Sequence, residues 1–101
     1  MVRILIERHL KEGKKGALMP LLRQLRATAM HQPGYITGET LASTEDTSFI
    51  SVLSTWRSLG DWKAWEISEP RAKLYQQIEP LLLEKPKFSV YQVMATEEKV
   101  T

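Results

Sequence analysis

The chain has 101 residues, 43% of them hydrophobic and 26% charged, which fits one globular domain burying roughly 65% of its unfolded surface. Its 14 basic and 12 acidic residues leave a net charge of +2, too small a bias to predict a nucleic-acid or membrane-surface partner. There is no cysteine, which excludes disulfides, thiolate metal sites and a cysteine nucleophile.

Val2 to His9 alternates, with Val2, Ile4 and Ile6 on one face and Arg3, Leu5, Glu7 and His9 on the other. Period two over eight residues predicts a strand. The opening segment, Met1 to Arg8, is too short and too charged for a signal peptide. No apolar run approaches the roughly 18 residues of a membrane span, so a cytoplasmic protein is expected. After a loop, Leu10 to Gly13, the residues Leu18, Leu21, Leu22, Leu25 and Ala29 trace a helical stripe, with Arg23, Gln24 and Arg26 on the wet side. Pro20 removes a backbone donor, which suits a helix starting near Gly16 and otherwise kinks its first turns. The helix ends by His31, and Gln32-Pro33-Gly34 makes the turn.

Tyr35 to Leu41 is rich in β-branched and aromatic residues and reads as a second strand, Gly38 marking a bulge or a close approach. Ser43 to Thr47 has the length of a hairpin loop. The third strand, Phe49 to Trp56, is apolar on both sides, so both its faces should be covered. Ser58-Leu59-Gly60-Asp61 fits a capping box opening a short helix. In that helix Trp62 and Trp65 share one side while Lys63 and Glu66 point outward. Ser68-Glu69-Pro70 restarts a second helical segment. Leu74, Ile78, Leu81 and Leu82 form its stripe, with Tyr75 beside it and Pro80 loosening its end. Lys87 to Ala95 alternates again as the last strand, and Thr96 to Thr101 is polar. Residues 1–96 therefore form one domain, followed by a polar tail, 97–101.

The order β-α-β-β-α-β is the ferredoxin-like α+β arrangement: four antiparallel strands with the helices on one face. The other face keeps Leu5, Tyr35 or Ile36, Phe49 or Ile50, and Tyr91 or Val93, depending on register. That much apolar surface predicts a homodimer joined sheet to sheet as a barrel.

All three tryptophans fall within ten residues, Trp56 to Trp65, where the densest packing and any pocket for a flat ligand should lie. Each reads two ways, as core and dimer packing or as a pocket wall, Trp65 being favoured as a wall. Tyr75 could donate a hydrogen bond to a phenolate or leave its hydroxyl in water. His31 ends a helix, where the dipole favours its positive charge. His9 reads as solvated. Glu7 and Glu39, if buried on neighbouring strands, could act as bases. No His, Asp or Glu pair has metal-ligand spacing, and no nucleophile elbow surrounds Ser51, Ser54 or Thr55.

Two stretches resemble the antibiotic biosynthesis monooxygenase family. Pro33 to Leu41 is similar to its proline-glycine-aromatic turn into strand two. Phe49 to Ser58 with Trp62-Lys63-Ala64-Trp65 is similar to its strand-tryptophan, capped-helix-tryptophan signature. With Gly13 and Ile78 to Leu82, the resemblance spans nearly the whole chain. It implies a dimeric α+β barrel with a pocket in each subunit between sheet and helices. Members include monooxygenases needing neither metal nor flavin, whose electron-rich aromatic substrate itself activates oxygen, and others that degrade haem. In the haem-degrading branch, the axial histidine falls at Tyr75 and an asparagine at Ile6 or Glu7, so haem is disfavoured, although tyrosine can ligate its iron.

The expectation is a cofactor-free monooxygenase acting on a small aromatic or quinol-like compound. Tyr75 and His31 would be catalytic, and Trp65, Trp56, Trp62 and Ile6 would bind substrate. The competing expectations are a non-catalytic ligand-binding or oligomerisation module and a haem-binding or haem-degrading protein.

Overall fold

The inward face of the first strand is continuous: Val2, Ile4, Ile6 and Arg8 are all buried, while the residues between them face out or lie half-buried. A computed structural model of the chain describes residues 1–99. The elements are β1 Val2–His9, α1 Lys15–Ala29, β2 Tyr35–Ala42, β3 Phe49–Trp56, α2 Leu59–Glu66, α3 Glu69–Ile78 with a 3₁₀ turn Glu79–Leu81, and β4 Lys87–Gln92. The sheet order is β2-β3-β1-β4, with every neighbouring pair antiparallel. This is the ferredoxin-like α+β fold that the order of elements predicts.

Register decides which side chains meet the helices. Val2 pairs with Trp56, Ile4 with Ser54, Ile6 with Val52 and Arg8 with Ile50. These pairs share the helix-covered face, because residues directly opposite in a ladder point the same way. Tyr35 joins them, as it stands opposite Trp56. One buried cluster holds Val2, Ile4, Ile6, Ala29, Trp56, Trp62 and Trp65. A second holds Leu10, Leu18, Leu22, Ile50, Ile78 and Leu82. Along the first strand, Arg8 is the residue that separates them.

The outer face carries Leu5, Leu53, Phe49 and Tyr91: register puts Phe49 there rather than Ile50, while Val93 lies past the end of the last strand. Tyr35 is drawn to the helix side. Ile36, at the register shift between Tyr35 and Thr37, is exposed. That shift is the irregularity in β2, so Gly38 is a close approach rather than a bulge: a Cβ there would overlap the Tyr35 hydroxyl.

Other local expectations need correction. The last strand stops at Gln92 rather than Ala95. Val93 donates one backbone bond to the Met1 carbonyl at 3.0 Å, and Met94 projects into solvent. Only half of the capping box forms: Ser58 Oγ accepts from the Asp61 amide at 3.1 Å, while the Asp61 carboxylate lies against Gly34. Ser68 stands at the N-cap of α3, but its hydroxyl makes no cap bond. Pro20 lies inside α1, one turn from its start, where the carbonyl it leaves free belongs to exposed Gly16.

Candidate functional site

Between the sheet and the helices lies a cavity of about 50 Å³; counted out to its mouth, the space free of protein atoms is about 520 Å³. Its walls combine aromatic rings with two buried cations. Trp56, Trp62 and Trp65 line it, with Ile6 and Tyr35 from the sheet and Leu25 from α1. Trp56 anchors this wall. Its indole N–H donates to Ser54 Oγ at 3.1 Å, Tyr35 meets it edge-on at 5.3 Å, and Trp62 does so at 5.9 Å. Such pairs hold ring orientations as well as burying area. Burial raises the Tyr35 hydroxyl above its ordinary pKa, against the opposing pull of Arg26 at the cavity edge.

The cations are Arg8 and Arg71, with relative exposures of 0% and 7%. Arg8 Nη2 donates to the Tyr75 hydroxyl at 2.8 Å, and Arg71 Nη1 donates to the Glu66 carbonyl at 3.0 Å. The Arg71 guanidinium lies 4.0 Å from the Tyr75 ring centroid and 5.3 Å from that of Trp62. Cation–π contact offsets some of the cost of taking a charge out of water, but not all of it. Arg8 Nε, Arg8 Nη1 and Arg71 Nη2 are buried and have no hydrogen-bond partner. Neither guanidinium has a salt bridge to a carboxylate among the described residues. Desolvation holds both below the ordinary arginine pKa. Tyr75 opposes this at both, with Glu66 also opposing it at Arg71, and the Arg71 charge depresses Arg8 further.

The structure brings Ile6, Trp56, Trp62 and Trp65 together around the cavity. It separates the two residues expected to be catalytic. Tyr75 is half-buried behind the arginines, not in the wall, with its oxygen occupied as an acceptor for Arg8. His31 is exposed in the turn after α1 and does not line the cavity. Glu7 sits on the outer face, away from the cavity, while Glu39 borders the cleft from the exposed edge strand. His9 is less solvated than expected. It bonds Glu84 at 2.9 Å and stacks on Phe49 with centroids 4.0 Å apart.

Sequence reasoning missed the arginines, although the signal was there. Arg8 continues the inward series Val2, Ile4, Ile6 at the same period. Arg71 lies three residues before Leu74 and seven before Ile78, on the same helical stripe. Charge overrode position in that reading, because unpaired arginines are seldom buried.

No three His, Cys, Asp or Glu side chains among the described residues come together to hold a metal. Haem does not fit the geometry either. Tyr75, where the degrading branch has its axial histidine, does not line the cavity and has its hydroxyl engaged by Arg8.

The fold and an aromatic-walled cavity under its helices define a small ferredoxin-like α+β domain. Residues 1–77 match the family model for antibiotic biosynthesis monooxygenases, and the chain belongs to that family. A search of curated proteins finds no match. Among solved structures, a Nitrosomonas europaea protein described as an antibiotic biosynthesis monooxygenase is similar at 16% identity. Its TM-score is 0.86, covering 94% of this chain and 100% of that one. SnoaB, a cofactor-independent oxygenase from Streptomyces nogalater, is similar at 10% identity and TM-score 0.83, covering 97% and 98%. A Bordetella bronchiseptica protein, again described as an antibiotic biosynthesis monooxygenase, is 13% identical with a TM-score of 0.83, covering 93% and 97%. At these identities the likeness is one of fold. No helix among the described residues is long and apolar enough to cross a membrane.

Proposed function

We propose that this protein is a cofactor-independent monooxygenase that oxidises a small aromatic or quinol-like compound in the cavity between sheet and helices, working as a homodimer. Residues 1–96 would be the working domain. The observation that carries this reading is the tryptophan-walled cavity with unpartnered cationic donors at its edge, in a chain of this family.

The chemistry follows from those walls. Flat rings position an aromatic substrate by stacking and exclude water. Buried positive charge favours the deprotonated, electron-rich form of a phenol, which can reduce oxygen directly. In the overall reaction an aryl C–H becomes a ring carbonyl. One atom of O₂ ends in that carbonyl and the other leaves as water, and the electrons come from the substrate. Arg8 and Arg71 would supply the positive field beside the ring, Trp65 would hold the ring, and Tyr75 would position Arg8. His31 lies outside this arrangement.

Oxygen uptake should be screened with hydroxynaphthalenes and other quinols, using protein stripped of metal and flavin. Uptake with one quinone formed per O₂ and no hydrogen peroxide released supports the reading. Binding without uptake would make the protein a ligand-binding module. Haem titration supplies a second arm: a sharp Soret band at one haem per chain would overturn the cofactor-free assignment.

A further inference from the structure

Three buried guanidinium nitrogens on Arg8 and Arg71 have no acceptor, and the two like charges repel one another. Buried polar groups in native proteins are nearly always paired, and buried charges more so. Arg8 and Arg71 are held in place from behind. Tyr75 accepts from Arg8 and lies under Arg71, and the Glu66 carbonyl accepts from Arg71 Nη1. Their remaining donors belong to residues that line the cavity. Within the described residues, the one acidic side chain bordering the same cavity is Glu39, which is exposed on the edge strand and makes no ion pair with either arginine.

We propose that the ligand of this cavity is an aromatic acid, whose ring lies against Trp56, Trp62 and Trp65 and whose carboxylate is held by Arg8 and Arg71. This rests on the aromatic-substrate reading above and narrows it to one class. A carboxylate offers two oxygens and about four lone-pair directions, enough to accept from both guanidiniums at once. A phenolate offers a single oxygen, on which both guanidiniums would have to converge. Arginine also matches planar carboxylates better than it matches neutral carbonyls. The ring supplies affinity and the acid supplies orientation.

The test is equilibrium binding followed by quenching of tryptophan fluorescence without turnover, using 2-naphthoate and its neutral isostere 2-naphthamide at neutral pH, and 2-naphthol both there and near its ionisation. The acid should bind about tenfold tighter than the amide, the size expected of a charge-assisted hydrogen bond. In Arg8→Met and Arg71→Met that preference should collapse, the acid losing about tenfold more affinity than 2-naphthamide. Arg8→Lys, which keeps the charge, should retain part of it and guards against a variant that fails to fold. Equal binding of acid and amide by the wild type would overturn the proposal, as would a preference surviving both Met variants. Tighter binding of 2-naphthol at a pH near its ionisation would assign the arginines to a ring oxyanion instead and also overturn it. Failure of all three probes to bind would remove this proposal together with the aromatic-substrate reading. Acid-selective binding without oxygen uptake by any quinol would leave this proposal standing and remove the oxygenase.

Discussion

Arg8 on the first strand and Tyr75 on the third helix are joined by a 2.8 Å hydrogen bond across 67 residues of sequence. The bond gives a fully buried guanidinium its one side-chain acceptor and fixes its direction beside the cavity. Tyr75→Phe should therefore cost ~1.5–3 kcal/mol, the range for a hydrogen bond to a charged group. Arg8→Met removes a charge that is costly to bury and should be neutral or stabilising in the ligand-free protein. With Arg8→Met in place, Tyr75→Phe should cost less than about 1 kcal/mol. Denaturant unfolding of the four proteins measures this. An equal cost of Tyr75→Phe in both backgrounds would show that the tyrosine does not serve to hold the arginine.

Trp65 is buried in the first core cluster and also faces the cavity. Trp65→Ala should cost ~3–5 kcal/mol, because a large ring leaves the core. Trp65→Phe keeps most of that burial, so its melting temperature should stay within a few degrees of wild type while affinity for flat ligands falls. If Trp65→Phe matches wild type in every binding assay, the residue is packing alone.

Gly34 adopts φ +83°, and a Cβ there would run into the Asp61 side chain. Two penalties therefore meet at Gly34→Ala, backbone strain and steric overlap, of about 1–3 kcal/mol together. Asp61→Gly removes only the second, because the Asp61 Cβ is itself among the atoms the new methyl would overlap. The double variant should be more stable than the sum of the singles predicts, by thermal or denaturant unfolding. Strict additivity would mean that the two residues do not press on each other.

Asp46 caps the β2–β3 hairpin loop, accepting from the Ser48 hydroxyl at 2.6 Å and the Ser48 amide at 3.0 Å. Those bonds favour the ionised carboxylate and lower its pKa from the ordinary 3.8. A carboxylate depressed in the folded state adds stability above its unfolded pKa and loses it as pH falls through the folded value. Asp46→Ala should thus melt below wild type near neutral pH, and the gap should narrow below pH 3.8. A gap of constant size across that range would show that the charge plays no part.

The outer sheet face carries Leu5, Leu53, Phe49 and Tyr91 with no helix over it. Sedimentation at micromolar concentration should give a dimer. Leu53→Glu, at the middle of the central strand, should shift the equilibrium toward monomer without unfolding the domain. A monomeric wild type would remove the barrel dimer from the proposed function.

The elements themselves were legible in the sequence because they depend on period and on local chemistry. Val2–His9 alternates, the α1 stripe recurs every three to four residues, and Pro33-Gly34 and Ser58 punctuate the chain where the structure turns. The aromatic wall of the cavity was legible too, since Trp56, Trp62, Trp65 and Ile6 each occupy an inward position set by that same period. What only the tertiary structure decided are the relations between residues far apart. Register assigned Phe49 and Tyr91 to the outer face and Tyr35 to the inner one, a choice open to each strand alone because both its sides are apolar. Burial of Arg8 and Arg71 needed the packing of α3 over β1, which brings Tyr75 to both guanidiniums and shuts out the water that would otherwise satisfy them. A side chain's period tells which way it points; whether a charge there meets solvent, a partner or an unfilled cavity is settled by what packs on top of it.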